Sequence, residues 1–323
     1  MRIVVIGATG HVGGYLVPRL MEAGHDVVAI SRGRSATYRE DPAWQRVERV
    51  VADRDAEDAD GTFGARIAGL AADVVIDMVC FTAESAALLL DALRGTGTRL
   101  LMCGTIWTHG TLTAVPALEH EDREPWGEYG IGKAAIEDLV LAEAARPDGV
   151  ASAVLHPGHI SGPGWPVINP AGNLDPEVWR RLATGERLVL PDLGLETVHH
   201  VHADDVAQAF QLATEHPEGA DGRAFHVVSE RALTLRGFAE AAAGWWGRSA
   251  DLAYAPFDEF RTTTSEEHAT TSWEHAARSH SVSIAAARQH LGYAPRYTSL
   301  EAAREAVEWL SRQDGSPIPV PGA

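Results

Sequence analysis

Only two of the 323 residues are cysteine, Cys80 and Cys103, too few for the disulfide framework of a small secreted domain. Both close apolar runs, which reads as buried, reduced thiols. No stretch reaches the ~18 consecutive apolar residues of a membrane span, and the opening run is too short for a signal-peptide core. Positive charge is scarce as well. The chain sets 27 Lys and Arg against 45 Asp and Glu, a formal charge of −18, so its mean field repels nucleic acid and anionic membranes. Internal repeats and low-complexity tracts are missing too. What remains is a cytoplasmic globular protein with a small-molecule substrate and neither a nucleic-acid nor a membrane partner.

The first half of the chain alternates short β-branched runs with longer helical patterns. Strands are expected at 2–6, 26–31, 47–51, 74–77, 99–103 and 151–155, and helices at 11–23, 63–71, 83–94 and 129–145. This alternation predicts an α/β fold, a doubly wound parallel sheet of Rossmann type covered on both faces. Pro18 removes a hydrogen bond to the Gly14 carbonyl inside the first helix, which predicts a kink there. The Gly/Pro-rich passage from His156 to Pro166 predicts a long ordered loop. Beyond it the pattern is mostly helical, with helices at 175–184, 203–214, 235–243, 266–277 and 300–312 and strands at 197–201 and 224–228.

These patterns divide the chain into a dinucleotide-binding domain, 1–160 with 195–230 returning to it, and a smaller, mostly helical C-terminal substrate-binding region, 161–194 and 231–315. Residues 316–323 hold three prolines and read as a frayed tail. Ser299 is the expected N-cap of the last helix, whose apolar stripe is Leu300, Ala303, Val307 and Leu310. Trp245 and Trp246 fall in a helical pattern and read as core.

Strand one runs directly into Gly7-Ala8-Thr9-Gly10-His11-Val12-Gly13 and then a helix. Glycines so placed allow a tight turn, close approach to a pyrophosphate and close helix packing, while the helix N-terminus offers free amides to phosphate. Where strand two ends, an acidic residue would accept from a ribose 2′-hydroxyl and favour NAD. The chain has Ser31-Arg32-Gly33-Arg34 instead. With no carboxylate to repel a 2′-phosphate and a guanidinium to grip it, NADP(H) is the preferred cofactor and NAD(H) the alternative. Arg32 and Arg34 also read as solvated surface charges. Asp53 is a candidate acceptor for the adenine amino group, or a surface carboxylate.

Tyr129-Gly-Ile-Gly-Lys133 opens a helix, and i, i+4 spacing puts phenol and ammonium on one face. A phenol ionises near pH ~10 unaided, so an adjacent positive charge is expected to make it a usable acid or base. Thr105 lies 24 residues earlier, just past the fifth strand.

In these ordered landmarks the chain resembles the extended short-chain dehydrogenase/reductase superfamily, the branch that holds the NAD-dependent epimerase/dehydratase family. The resemblance covers Gly7 to Gly13, Asp53, Thr105 with Gly110, Tyr129, Lys133, His156-Pro157-Gly158 and Val201 to Val206. It implies that Thr105 hydrogen-bonds the reacting oxygen, Tyr129 exchanges its proton and Lys133 holds the nicotinamide ribose. It places Pro157 and Gly158 against the nicotinamide, brings Met78, Val79 and Cys80 beside the cofactor, and implies a homodimer built through the helices of the Tyr129 region.

Sugar-nucleotide dehydratases of this branch usually follow the Thr with Asp-Glu; here Thr105-Ile106-Trp107 disfavours dehydration. His156 and Ser161 stand where related enzymes often have Arg and Tyr, so a UDP-sugar pocket does not carry over. Trp107, His109, His159, Trp165 and Trp273 fall near the substrate mouth that the resemblance implies, although each also reads as packing. His199, His200 and His202 precede Asp204-Asp205 and read as structural, with no metal site.

The expected function is hydride transfer between NADP(H) and a carbonyl or secondary alcohol of a small polar substrate. Two alternatives are a sugar or sugar-nucleotide epimerase with retained NAD(P) and a dinucleotide-sensing protein that does no chemistry.

Overall fold

The computed structural model describes residues 1–34, 37 and 39–322. Its strands are β1 (Arg2–Ile6), β2 (Asp26–Ser31), β3 (Glu48–Val51), β4 (Val74–Asp77), β5 (Arg99–Cys103), β6 (Ser152–Pro157), β7 (His159–Ser161), β8 (Leu188–Pro191), β9 (Thr197–Val198), β10 (His200–His202), β11 (Ala224–Val227), β12 (Leu233–Thr234) and β13 (Leu252–Ala255). The helices of the first half are α1 (Gly13–Glu22), α2 (Arg54–Ala59), α3 (Phe63–Ala68), α4 (Ala83–Leu93) and α5 (Gly127–Ala144). The second half adds α6 (Pro176–Thr184), α7 (Ala203–Glu215), α8 (Pro217–Ala220), α9 (Leu235–Ala243), α10 (Phe257–Phe260), α11 (Glu266–Ala276), α12 (Ala285–Leu291) and α13 (Ser299–Ser311).

Seven strands make one sheet in the order β11-β6-β5-β4-β1-β2-β3, with parallel pairing throughout. Ile3, Val4 and Val5 of β1 are fully buried, as a central strand covered on both faces must be. On one face Leu16, Leu20, Val206 and Phe210 of α1 and α7 pack against the sheet. On the other, Phe63, Ile67, Leu89, Leu90, Ile136 and Val140 come from α3, α4 and α5. The order turns back between β1 and β4, so the carboxyl ends of these strands open a crevice, the usual ligand position in such sheets. Gly7 follows β1 there, Met78 follows β4, and Thr105 lies two residues beyond β5.

A third cluster, built on Trp179, Leu182, Leu190, Phe238, Ala306 and Val307, forms the core of the C-terminal part. The structure differs from the sequence reading at several places in and around it. β8 and β13, a short parallel pair, and α2, α10 and α12 carry too few residues to show a period. The last helix is capped by Thr298: its hydroxyl accepts from the Glu301 amide at 3.2 Å, and the Glu301 carboxylate accepts from the Thr298 amide at 2.8 Å. Ser299 is therefore already helical, and its hydroxyl donates to the Arg231 carbonyl at 2.7 Å.

Trp245 and Trp246 sit in a 3₁₀ turn and are only half-buried, because they stack at the edge of this cluster; Trp245 lies 6.0 Å from Trp179. That edge is covered by the chain terminus, which is docked where fraying was expected. Ile318 is buried, Trp246 donates its indole N–H to the Pro319 carbonyl at 3.0 Å, and the Gly322 amide donates to Trp245 at 2.9 Å. Truncating Ile318 removes a buried side chain, so Ile318→Ala is expected to lower stability by about 2–4 kcal/mol in urea unfolding. A tail that contributes nothing to the fold would leave the midpoint unchanged.

Candidate active site at the switch point of the sheet

The turn after β1 is shaped by close contacts that only glycine tolerates. Gly7 has φ +83°, and a Cβ there would lie 2.7 Å from Val79 Cγ1. A Cβ on Gly13 would lie 2.1 Å from the Ala8 carbonyl oxygen. Between them Gly10 donates its amide to the Gly7 carbonyl at 3.0 Å, and no side chain caps the start of α1. The segment Thr9-Gly10-His11-Val12 thus presents a tight turn and uncapped helix amides to the crevice, a cradle that fits a pyrophosphate.

His11 Nε2 hydrogen-bonds the Pro163 carbonyl at 3.0 Å, and its ring stacks on Trp165 with centroids 6.0 Å apart. Burial holds this imidazole down to about 4, so it is neutral at pH 7 and the Nε2–H donates. Trp165 therefore stands beside the glycine turn.

At the end of β2, Ser31 Oγ accepts from the Gly33 amide at 3.3 Å, and Arg34 pairs with Asp53 at 2.9 Å. Arg32 is exposed beside them. An interaction that the sequence reading missed orders the next loop. Buried Asp77 pairs with Arg54 at 2.5 Å, and its other oxygen accepts from the Val79 amide at 3.1 Å. The pair fixes the turn through Met78, Val79 and Cys80. An Asp ending an otherwise apolar central strand was the signal available for it.

Lys133 joins this loop to the neighbouring strand. Its ammonium donates to the carbonyls of Cys80 and Cys103, both at 2.8 Å, and the side chain is 3% exposed. Both cysteines are free and buried, and burial raises the Cys80 thiol to about 11. Lys133 is the only lysine in the chain, all other basic side chains apart from histidine being arginine, a second signal that was legible in the sequence.

The phenol of Tyr129, one turn earlier on α5, faces the Thr105 side chain, which favours its ionised form. Residue 129 is 45% exposed overall, yet its hydroxyl end is desolvated, and burial raises the phenol to about 12. This corrects the expectation that Lys133 lowers it. The Lys133 ammonium is spent on two carbonyls and lies 5.9 Å from the centre of the Tyr129 ring.

Thr105 is buried and extended, with φ −164°, and its hydroxyl accepts from the Trp107 amide at 3.3 Å to start the turn Ile106–His109. Its own amide donates to His156 Nδ1 at 3.0 Å. His156 Nε2 lies 3.3 Å from Glu137, which also binds Arg123. Burial works to raise the Glu137 carboxyl, but His156 and Arg123 outweigh it and the net shift is downward. The Glu137 carboxylate accepts from the His156 Nε2–H, and Nδ1 accepts from the Thr105 amide. The imidazole needs a glycine opposite, since a Cβ on Gly104 would lie 2.4 Å from His156 Nδ1.

The model of the NAD dependent epimerase/dehydratase family matches residues 3–227. The chain belongs to this family. It is 31% identical over 245 residues to 2′-dehydrokanamycin reductase of Streptomyces kanamyceticus, covering 73% of this chain and 64%, less than two-thirds, of that reductase. It is 26% identical over 253 residues to UDP-glucose 4-epimerase of Corynebacterium glutamicum, covering 71% of this chain and 75% of the epimerase. The structure of UDP-glucose 4-epimerase from Thermotoga maritima with UDP-glucose superposes with a TM-score of 0.71 over 96% of this chain and 98% of its own, at 20% identity, a likeness of fold. The chain is thus a member of an enzyme family of the extended short-chain dehydrogenase type, one named for its dependence on NAD.

Buried imidazoles surround this site. Ser161, where relatives often have Tyr, bonds His200 Nδ1 at 2.7 Å. His109 is buried against His226, with the two Nε2 atoms 2.7 Å apart. His199 Nε2 binds the Ser229 carbonyl at 2.8 Å, and His202 Nδ1 accepts from the Asp204 amide at 3.0 Å, capping α7. Gly158 packs against the same segment, where a Cβ would lie 2.2 Å from the His199 carbonyl. Among the described residues no group of three or more His, Cys, Asp or Glu is arranged to hold a metal.

Burial depresses these imidazoles, His109, His159 and His199 to about 4 and His202 to about 3. The folded state therefore binds their protons more weakly than the unfolded chain, where imidazole titrates near ~6.5. The stability they contribute is complete above that value and falls as pH drops below it toward the folded values. The slope is up to about 1.4 kcal/mol per pH unit for each histidine. The urea midpoint is expected to drop steeply between about pH 6.5 and 4.5. Replacing His159 and His200 by Leu should flatten the slope; a pH-independent midpoint contradicts the reading.

Proposed function

We propose that this enzyme transfers hydride reversibly between NADP(H) and a carbonyl or secondary alcohol of a small polar substrate. The observation that carries the reading is the convergence of Thr105, Tyr129 and Lys133 at the ends of β4 and β5, next to the Gly7 turn. When bound, the nicotinamide supplies and accepts the hydride. Thr105 orients the reacting oxygen with its hydroxyl, fixed through its amide by His156. In reduction the Tyr129 phenol, kept protonated by burial, donates its proton to that oxygen; in oxidation it takes the proton back. In this reading Lys133 holds the ribose with the one N–H that the Cys80 and Cys103 carbonyls leave over, and Met78, Val79, Cys80, Pro157 and Gly158 run along the cofactor. The regions 161–194 and 231–315, which lie outside the seven-stranded sheet, supply the substrate side.

Arg32 supports the preference for NADP over NAD. It is exposed at the end of β2, with no ion pair among the described residues and no carboxylate directly following the strand, while Arg34 is held by Asp53. A homodimer through the α4–α5 face is part of the proposal, supported by the exposed apolar side chains Leu88 and Ile131. Epimerisation with retained dinucleotide is the second reading, favoured by UDP-glucose 4-epimerase among the relatives. It uses the same residues but shows no net cofactor turnover.

Titration with NADPH and NADH, followed by nicotinamide fluorescence, tests the cofactor assignment. NADPH is expected to bind more tightly, and Arg32→Ala to weaken it by about tenfold, the loss of one exposed phosphate contact. A preference for NADH that the variant leaves unchanged would overturn the assignment. Cofactor that co-purifies and is never released would bring epimerisation forward.

A further inference from the structure

Past the end of β5, Gly104 donates its amide to the Leu155 carbonyl at 2.7 Å, and the next residue, Thr105, is held by a side chain instead of a strand. His156 Nδ1 lies 3.0 Å from the Thr105 amide nitrogen and also 3.0 Å from the Thr105 carbonyl oxygen. One ring nitrogen thus faces a donor and an acceptor of the same residue. A bare Nδ1 can only accept, so it takes the amide. A protonated Nδ1 can only donate, so it repels the amide and turns to the carbonyl. The other ring nitrogen is committed, since Nε2 lies 3.3 Å from Glu137. Burial works against it, but His156 and Arg123 keep the Glu137 carboxyl below its usual range. Nε2 therefore carries a proton in either state, and any change of charge on the ring falls on Nδ1.

We propose that His156 is a pH-dependent positioning residue: with Nδ1 bare it holds the Thr105 backbone and so aims the hydroxyl, and with Nδ1 protonated it releases that hold. The inference rests on the hydride-transfer reading and places a proton-controlled element behind one of its catalytic groups. The ring has no room to step aside. His156 is buried, and a Cβ on Gly104 would lie 2.4 Å from its Nδ1, so imidazole and backbone are in direct contact. A change in the atom that Nδ1 addresses must therefore move Thr105. Its carbonyl also accepts from the Thr108 hydroxyl at 3.1 Å, and its own hydroxyl accepts from the Trp107 amide at 3.3 Å. A shift of this backbone is carried along the turn to the hydroxyl that faces Tyr129.

The titratable and charged groups around the ring come from α5, the loop before it, β11 and the turn after Thr105. Glu137 of α5 and Arg123 of the loop flank Nε2. His226 of β11 has its ring centre 6.3 Å away, and His109, bonded to His226 at 2.7 Å, acts from the turn. Glu119 of the loop lies against His226. Burial holds His109 at about 4 and His226 well below its ordinary value, so both stay neutral while the pH falls through the mildly acidic range. The Tyr129 phenol, raised by burial to about 12, does not titrate there either. Burial raises the Glu119 carboxyl, which makes it the neighbour whose titration has to be separated from that of His156.

The test is an NMR titration of the full chain, labelled with ¹⁵N throughout and with ¹³C in the tyrosine rings, from mildly alkaline pH down to the onset of acid unfolding. His156 signals are assigned by their loss in His156→Asn, whose side-chain oxygen supplies an acceptor that pH does not change. At the upper end Nε2 should be protonated and Nδ1 bare. As Nδ1 takes its proton, the Thr105 amide proton should move upfield and the Tyr129 ring signal should shift with the same midpoint. In His156→Asn both should stay in place over that range. In His156→Leu, which has no acceptor, the Thr105 amide proton should lie upfield at every pH. Glu119→Gln should leave the three signals moving together. A neutral ring protonated at Nδ1, or an Nδ1 that stays bare until the protein unfolds, would overturn the proposal, and both are read in the unmodified protein whether or not a variant folds. Thr105 and Tyr129 signals that titrate unchanged in His156→Asn would overturn it as well. Failure of the unmodified protein to bind NADPH would instead overturn the hydride-transfer reading and leave the His156 result standing.

Discussion

The ammonium of Lys133, enclosed and bonded to the carbonyls of Cys80 and Cys103, ties together the carboxyl ends of β4 and β5. Those carbonyls lie at the mouth of a parallel sheet, where the ladder has run out of partners. A buried cation is tolerated only where such acceptors surround it, so the position of Lys133 and the spacing of the two strand ends determine each other. Tyr129 on the preceding turn and Thr105 just past β5 follow from that arrangement. So does the placement of the glycine turn across the crevice, since Val79, which packs against Gly7, belongs to the loop that Lys133 closes.

Around this cation the buried ion pairs Asp77–Arg54 and Glu137–Arg123 fix the framework, and uncharged polar groups line much of the rest. The phenol is kept protonated by burial, His156 is fixed by Glu137, and the imidazoles beyond Trp107 are held uncharged. A neutral, desolvated setting strengthens every hydrogen bond made to a reacting oxygen. It also makes the fold sensitive to acid, because the groups that shape the site are those that protonation disrupts. The strong negative charge of the chain sits apart from this interior, most of its carboxylates being exposed or engaged with arginine.

The sheet and the catalytic elements were legible because each rests on a local pattern. β-branched runs gave the strands, and Gly7 to Gly13 after β1 marked the dinucleotide turn. The i, i+4 spacing of Tyr129 and Lys133 placed their side chains on one helix face. What sequence could not show were contacts between distant segments. His109 meets His226 across 117 residues, Thr105 meets His156 across 51, and Arg54 reaches Asp77 from a short acidic helix without a periodic stripe. The docked terminus was hidden for a related reason: its prolines suggest fraying, whereas the decisive feature is one isoleucine fitting beside Trp245 and Trp246. The expected effect of Lys133 on Tyr129 failed because spacing says which residues are neighbours and nothing about the acceptors a cation meets, or how dry the phenol is.

The central claim is that desolvation of its hydroxyl keeps the Tyr129 phenol protonated and that, in the proposed reaction, a bound oxidised nicotinamide draws that proton off. Its most direct test is ¹³C NMR titration of ring-labelled tyrosine, with Tyr129 assigned by its loss in Tyr129→Phe. The account predicts a phenol titrating near 12 in the free protein. With saturating NADP⁺, whose positive charge favours the phenolate, the midpoint should move down toward neutrality. A midpoint that stays where it is when the cofactor binds would contradict the account.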